Sequence, residues 1–543
     1  MILLASVLAV IWFCNLDYHK LNRPDEGRYA EIAREMAVTG DWITPRLNGI
    51  KYFEKPPLQH WATASAYKIF GEHQWTSRLW SALTGLLGIV LVFFAGRNLF
   101  GPTAGFYSAL VLASSPGYVG IGHMNTLDMG LTFFMTGTAL GLLLAQREGV
   151  SSIAGRRWML AAWACAALAM LSKGLIGIVL PAVVTVIYAL LQRDLGLLRR
   201  LHWKAGIVLF LVVVAPWFVL VQHTNPEFAR FFFIHEHFER FLTKIHRRVE
   251  PWWYYIPMLA MGMLPWLTLL PRALFLGWRM QPRPQIFHSQ RFLLIWTIFI
   301  FIFFSISKSK LPSYILPIFP TLALLIGSTL AETATRRLQW HVIPMLLVGV
   351  AVAALAPRAV LLGKEHVPAA LYENYVPWIA AAGAALMIGA GCALFFCRLG
   401  NRGAALLGMG FGGLAFGQLA ISGHEALSPS YSAFYLARDI KPYLGKNIPF
   451  YSVRTYDQTL PFYIKRTVKL VAFQDELAYG LKHEPRLWIP DLSSFEHAWR
   501  SEPNALAIME PQTYAELEKD GLPMQIIARD LRRIVVKKPD ATR

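Results

Sequence analysis

The chain has 543 residues, with 52 Lys and Arg against 33 Asp and Glu and a formal net charge of +19. It is 55% hydrophobic and only 16% charged, with a mean hydropathy of +0.41. That composition excludes an ordinary soluble enzyme, implies a polytopic α-helical membrane protein, and gives no reason to expect a nucleic-acid partner.

Apolar runs of about 18 to 25 residues, long enough to cross the hydrocarbon core as a helix, are expected at 1–16, 77–99, 102–121, 126–145, 158–172, 174–192, 204–222, 253–277, 291–307, 311–331, 341–362, 376–397 and 403–422. The first reads as an uncleaved anchor, because it lacks a basic leading region and a small-residue cleavage site. Sixteen Lys and Arg lie in one set of connectors and five in the other, which places the first set and the N-terminus in the cytoplasm. Residues 17–74, 223–252 and everything after Ser422 then face outward.

The outer connector 17–74 is too long to be a simple turn. It opens with Arg23-Pro24-Asp25-Glu26-Gly27-Arg28-Tyr29, and residues 25–37 and 58–70 read as short helices, each with one apolar face, lying along the outer membrane surface. Acids at a helix start suit capping as well as chemistry. The run Lys51-Tyr52-Phe53-Glu54-Lys55-Pro56-Pro57 holds a lysine in extended chain before a double proline, where it can serve as a point charge for phosphate or as a solvated loop charge. Asp128 follows Asn125 and Thr126 at the start of the fourth span, as a helix cap or as a membrane-edge functional acid.

The second long outer connector, 223–252, begins with Asn225-Pro226, a helix-start signal. Phe228, Phe231, His235, Phe238, Leu242 and Ile245 recur at helical spacing, with Arg230, Arg240, Lys244 and Arg248 on other faces, so an interfacial helix with a cationic side is expected. His235 and His237 do not share a helix face, which argues against a two-histidine metal site. His235 with Glu54 remains a possible site for zinc or another divalent ion. Further on, Ser307-Lys308-Ser309-Lys310-Leu311-Pro312-Ser313-Tyr314 offers cations and hydroxyl donors for a phosphoryl group, or a membrane-edge anchor.

From residue 423 to 543 the composition turns soluble, and strand-like runs at 448–453, 468–472, 505–509, 524–528 and 533–536 alternate with helical stretches, as in a small outward-facing α/β domain. It carries no Walker loop or dinucleotide fingerprint. Cys14, Cys165, Cys392 and Cys397 all fall in apolar spans, so no disulfide framework is readable. Asp25, Glu26 and Asp128 thus share one side of the bilayer with Arg28, Lys55, Arg240, Lys308 and Lys310. Cations that stabilise a departing phosphate and a carboxylate that orients or deprotonates an acceptor suit group transfer from a lipid phosphate.

The stretch from Arg23 to Met36, followed by Gly40-Asp41-Trp42 and Tyr52-Phe53-Glu54-Lys55-Pro56, resembles the first outer loop of the bacterial aminoarabinose transferase family, and Lys308 to Tyr314 resembles a second signature of that family. The resemblance covers most of the membrane region 1–422 and only weakly the C-terminal domain. It implies the GT-C fold and an inverting lipid-linked pentosyltransferase. The expected reaction moves 4-amino-4-deoxy-L-arabinose from undecaprenyl phosphate to a lipid A phosphate at the periplasmic face of the inner membrane, giving polymyxin resistance without a required cofactor. Asp25 would be the principal catalytic carboxylate, with Glu26 and Asp128 as further acids. Lys55 and Arg28, with Arg240, Tyr314, Lys308 and Lys310, would bind the donor phosphate, and Tyr52 and Glu54 would line the substrate cavity. The competing readings are another polyprenyl-phosphate sugar transferase, such as a protein O-mannosyltransferase, and a lipid or sugar flippase; a flippase favours a midplane site rather than an outer one.

Overall fold

A computed structural model describes residues 2–149, 151–239, 250–279 and 287–539, with side chains 235–239 left aside. Helix α1 (Ile2–Phe13) leads into the outer-loop helix α2 (Asp25–Thr39), a hairpin of β1 (Arg46–Leu47) and β2 (Ile50–Lys51), and helix α3 (Leu58–Phe70). Next come α4 (Gln74–Phe100), α5 (Pro102–Ala113), α6 (Pro116–Gly122), α7 (Leu127–Glu148) and α8 (Ile153–Lys173). Among the described residues, eight helices are long and apolar enough to cross a membrane, or nine if the pair Tyr255–Gly262 and Leu267–Arg279, bent by 111°, forms one span. Length and composition therefore stop short of the thirteen expected spans. Shorter apolar helices, Leu3–Phe13, Pro102–Ala113 and Ile176–Leu191, fall on three of the other runs. The run 102–121 is broken because Pro116 has no N–H to continue the ladder of α5.

The outer helix α2 departs from the expected amphipathic pattern. Every residue from Glu26 to Met36 is buried, so α2 does not lie along the membrane with one face wet. Ala30, Ala33 and Met36 pack with Tyr67 and Phe462, while Tyr29 and Ile32 pack with Leu127, Leu460 and Ile464. The C-terminal region covers the side that a membrane-surface helix would turn to water. The described first part of the second outer connector is also turned inward. Its backbone is π-helical over Arg230–Glu239, and Phe228, Phe231 and Phe232 are buried. Phe228 packs edge-on to Phe53 at 5.3 Å and Phe231 stacks on Tyr479 at 3.9 Å, so these rings face protein rather than lipid.

The C-terminal sheet contains β3 (Phe450–Val453), β4 (Lys469–Val471), β5 (Trp488–Ile489), β6 (Leu506–Met509), β7 (Gln525–Arg529) and β8 (Ile534–Lys537). Its order is β5-β4-β3-β6-β8-β7; the first four strands are parallel, and β8 runs antiparallel to β6 and β7. The central strands β3 and β6 are buried along their whole length, as expected of a sheet covered on both faces. All five expected strands are present. The two-residue β5 is too short to carry an alternating pattern and has no counterpart among them.

Two glycines bring this sheet region onto the outer loop. Asn48 and Gly49 both have positive φ, 57° and 78°, which gives the tight two-residue turn between β1 and β2. The tip of that turn docks on the sheet region, where the Asn48 Nδ2 donates to the Val468 carbonyl at 2.7 Å and the Val468 N–H donates to Asn48 Oδ1 at 2.8 Å. Gly27 lies against residues 458–459 so closely that an added Cβ would stand 2.6 Å from Thr459 Cγ2 and 2.7 Å from the Gln458 carbonyl. Gly27→Ala is therefore expected to destabilise the protein by about 1–3 kcal/mol through overpacking, measured as a lowered thermal midpoint in detergent.

Candidate functional site

Two adjacent acids at the start of α2 have different fates. Glu26 is 3% exposed and forms a two-point ion pair with Arg78 of α4, which is 0% exposed: Arg78 Nε donates to Oε1 at 2.8 Å and Nη2 to Oε2 at 3.0 Å. The same carboxylate accepts the backbone N–H groups of Asn22 and Asn125, each at 3.0 Å. Burial opposes its charge, but Arg78 overcomes this and lowers the Glu26 carboxyl to about 2. Both oxygens are thus committed to holding the fold. The expectation of Glu26 as a catalytic acid is corrected, since no part of it is left to meet a substrate.

Asp25 is half-buried and uses one oxygen, Oδ1, to accept from Arg28 Nη1 at 2.9 Å. Arg28 reaches with Nη2 to Glu476 of the C-terminal region, whose Oε1 accepts from Gln458 Nε2 at 2.7 Å. Burial, partly countered by Arg28, lifts the Glu476 carboxyl above its ordinary value. Tyr52 is 2% exposed, and among its charged neighbours Arg28 acts on it most strongly, followed by Glu54 and Glu476. Among the described residues, neither the Tyr52 hydroxyl nor Arg28 Nε has a hydrogen-bond partner. Lys55 Nζ donates to the Glu54 carbonyl at 2.9 Å. Asp25, Glu54 and Asp128 all act on the buried Tyr29 hydroxyl, after burial itself, to keep it protonated.

Asp128, in the first turn of α7, is 7% exposed and ion-paired through Oδ1 with Lys173, the last residue of α8. Lys173 Nζ also lies over the Tyr314 ring, 4.6 Å from its centroid. Asp25, Arg28, Tyr52, Glu54, Lys55, Asp128 and Tyr314 are thus brought to one region, together with Lys173 and Glu476, which the sequence reading did not select. Lys173 had a signal, as one of the few cations on the side that the positive-inside pattern disfavours. Glu476 had none, since it reaches the site only through the docking of the C-terminal region.

Two expected phosphate ligands are not among these contacts. Lys308 is exposed, and Lys310 is buried with Nζ donating to the carbonyls of Glu250 at 3.0 Å and Ser307 at 2.5 Å. Lys310 is a tie between two connectors, which corrects its expected role. Arg240 and the His235 side chain lie outside the described residues, as do Lys244 and Arg248. The Glu54–His235 metal pair therefore falls partly outside them too. Among the described residues, no group of three or more His, Cys, Asp or Glu side chains is arranged to hold a metal ion.

A second acid cluster lies further along α2. Arg34 donates from Nε and Nη2 to the two oxygens of Glu31, at 2.7 and 2.6 Å. Glu35, 5% exposed, accepts the Gly49 N–H at 2.8 Å. Burial, followed by the charge of Glu31, pushes the Glu35 carboxyl up to about 8.

Residues 436–538 match the family description "Aminoarabinose transferase C-terminal domain", and residues 54–220 match "Dolichyl-phosphate-mannose-protein mannosyltransferase". An undecaprenyl phosphate-alpha-4-amino-4-deoxy-L-arabinose arabinosyl transferase of Aeromonas salmonicida is 35% identical over 361 residues, which is 64% of this chain and 65% of that protein. Its namesake in Aeromonas hydrophila is 37% identical over 320 residues, 58% of this chain and 57% of that protein. The matched segments thus span less than two thirds of these curated relatives. The crystal structure of ArnT from Cupriavidus metallidurans bound to undecaprenyl phosphate superimposes with a TM-score of 0.94 at 39% identity, covering 100% of this chain and 99% of that one. The archaeal oligosaccharyltransferase AglB of Archaeoglobus fulgidus, at 12% identity and a TM-score of 0.54, shares the fold alone. The architecture is accordingly that of the GT-C class, a helical membrane body with a smaller sheet-containing C-terminal part. Within that class, full-length similarity in both sequence and structure places the chain in the aminoarabinose transferase family.

Breaking the Glu26–Arg78 pair leaves one buried charge without a partner, so Arg78→Ala should cost about 3–5 kcal/mol, seen as loss of folded protein or a sharply lowered thermal midpoint. The Glu35 carboxyl predicts a pH dependence of stability. Its ordinary value is 4.5 and its folded value about 8, so the folded chain keeps a proton that the unfolded chain releases. Stability should fall as pH rises from about 4.5 to about 8 and level off above that. Thermal midpoints of Glu35→Gln across this range should lack that slope; an unchanged slope would assign it to another group.

Proposed function

We propose that the chain is a membrane glycosyltransferase that moves 4-amino-4-deoxy-L-arabinose from undecaprenyl phosphate to a lipid A phosphate at the outer face of the bacterial inner membrane, giving resistance to polymyxin and other cationic peptides. The observation that carries this reading is the grouping of Asp25–Arg28, Lys55 and Asp128–Lys173 in a chain that follows the Cupriavidus protein along its whole length. The N-terminus is assigned to the cytoplasm, and the site and residues 423–543 to the periplasm, by the charge bias of the connectors.

In the reaction, the bond between the sugar C1 and the donor phosphate oxygen breaks, and the electron pair leaves with undecaprenyl phosphate. An oxygen of the acceptor phosphate forms the new bond to C1. The departing phosphate is the leaving group, so the step requires no redox cofactor. Lys55 and Arg28 are assigned to the donor phosphate, where fixed cations offset the charge that develops on the leaving oxygen. Lys173 holds Asp128 and lies over Tyr314, which sets both at the edge of the membrane body.

A phosphomonoester acceptor is largely ionised near neutral pH, its second pKa being about 6. Asp25 therefore has little deprotonation to perform on it. Its assigned work is to orient the acceptor or the sugar, with Arg28 fixing the carboxylate. The mannosyltransferase match over residues 54–220 favours, as a second reading, a different polyprenyl-phosphate sugar donor, and the C-terminal match at 436–538 weighs against it.

Mass spectrometry of lipid A from cells with and without the protein tests the proposal. A gain of one aminopentose is expected, absent in Asp25→Ala and Lys55→Ala cells that make the protein at normal levels. Lipid A unchanged by the wild-type protein would overturn it.

A further inference from the structure

Helices α7 and α8 form an antiparallel pair, with Asp128 and Lys173 at one end and the connector 149–152 at the other. Towards that other end, away from the candidate site, α9 (Ile176–Leu191), α10 (Gly196–Arg199) and α11 (Trp203–Thr224) flank the pair and leave a cavity of about 230 Å³. Its walls include Met159, Trp163 and Ala166 of α8, Ala182 and Val186 of α9, and Trp203. The hydroxyls that line it are already used within their own helices: Thr138 donates to the Phe134 carbonyl at 3.0 Å and Thr185 to the Pro181 carbonyl at 2.8 Å. The Trp163 Nε1 is also taken, donating to the Leu201 carbonyl at 2.8 Å. A space lined in this way gives water few partners and suits a hydrocarbon. Val186 and Trp203 are exposed, so the cavity opens sideways to the membrane.

The rim of the cavity is cationic. Arg156 lies one helical turn before Met159, Arg199 follows the lining residue Leu198, and Lys204 follows Trp203. All three are exposed, and none is in an ion pair among the described residues. Arg200 differs, because Asp194 neutralises it and its Nε donates to Gln146 Oε1 at 3.2 Å. Gln146 stands one turn beyond the lining residue Leu142, and its Nε2 is buried without a hydrogen-bond partner among the described residues. A buried donor of this kind is satisfied by water or by a ligand. The depth also fits a lipid. From Arg156 to Ala166, α8 rises about 15 Å, half of a hydrocarbon core about 30 Å thick.

We propose that this cavity and its rim bind an anionic glycerophospholipid of the leaflet opposite the candidate site, with one acyl chain between α8, α9 and Trp203 and the phosphate at Arg156, Arg199 and Lys204. Basic pockets between membrane helices recognise anionic headgroups in this way. A zwitterionic lipid brings a cation of its own to the same rim and gains less from it. A polyprenyl phosphate carries the anion, but its chain is much longer than the half-core that the cavity spans. A seated acyl chain fills the space beside α8 and stabilises the folded protein by binding it alone.

The test uses the full-length protein, delipidated in detergent, with dioleoyl phosphatidylglycerol, dioleoyl phosphatidylcholine or undecaprenyl phosphate added back. Bound lipid is counted by native mass spectrometry, and the thermal midpoint is measured alongside. Phosphatidylglycerol should be retained more tightly than phosphatidylcholine and should raise the midpoint. Arg156→Ala and Lys204→Ala, both at exposed positions, should each weaken that retention by about fivefold, the share of one basic side chain at a charged lipid surface. Ala182→Phe, at an exposed position of the wall, puts a ring into the cavity and should remove the retained phosphatidylglycerol with all three cations still in place. Should Ala182→Phe fail to fold, the two rim variants still decide the matter. Equal retention of the two dioleoyl lipids, or retention of phosphatidylglycerol unchanged in the folded variants, overturns the inference. Displacement of phosphatidylglycerol by an equimolar amount of undecaprenyl phosphate would assign the cavity to a polyprenyl chain and overturn it as well.

Discussion

Arg78 is the fixed point of the outer half of the molecule. It is fully buried, and its five N–H groups all find acceptors: the two oxygens of Glu26 and the carbonyls of Leu16, His19 and Lys20. A guanidinium can satisfy this set because its donors are rigid and planar, whereas an ammonium has three donors and no fork. The pair joins α4, the segment leading out of α1, the start of α2 and the junction before α7, where Asn125 meets Glu26. An uncompensated charge at this depth would cost several kcal/mol. The arrangement explains why the two neighbouring acids differ. Because Glu26 is fastened inward, α2 is held in one rotation, and Asp25 is left on the side where Arg28, Tyr52 and Glu54 gather.

The C-terminal region is part of this arrangement rather than an appendage to it. It fills the space over α2, takes the Asn48–Gly49 turn through Val468, and passes Glu476 to Arg28. Its own junction is strongly polar. Arg533 binds Asp457, Asp530 and the Ser432 carbonyl, and Asp457 in turn accepts the Thr459 N–H at 2.9 Å. That network sets the loop at 457–459 against Gly27, and the absence of a side chain at Gly27 lets the two backbones meet. The geometry of the candidate site thus depends on packing made by a sheet remote in sequence.

Much of this was legible in the residues and some was not. Eight or nine of the thirteen expected spans, the helices at 25 and 58 and five strands follow from apolar run length and periodicity, which are local properties. The grouping of Asp25, Arg28, Lys55 and Asp128 was legible because three fall in an outer connector and Asp128 starts a span at the same side. The burial of α2 was not, since its polar residues Glu31, Arg34 and Glu35 read as a wet face and are in fact paired with one another inside the protein. Glu26 read as a site acid because its partner, Arg78, lies 52 residues away inside a helix that reads only as a membrane span. The Asn48-Gly49 pair is a strong hairpin signal, but with two-residue strands it lacks the flanking alternation that would have drawn attention to it.

The docking of the Asn48 turn has a consequence for how the protein comes into being. Asn48 meets Val468 across 420 residues of chain, and the Leu21 N–H meets the Tyr463 hydroxyl across 442. Chains are made from the N-terminus and fold piecewise as they emerge, so α2 and its hairpin wait through the synthesis of the intervening helices before the segment that covers them exists. During that interval Arg28 lacks Glu476 and the buried acids of α2 stand in water. The outer site is therefore completed last, and a chain that stops between about residues 431 and 476 has all its long apolar helices made and its site still open.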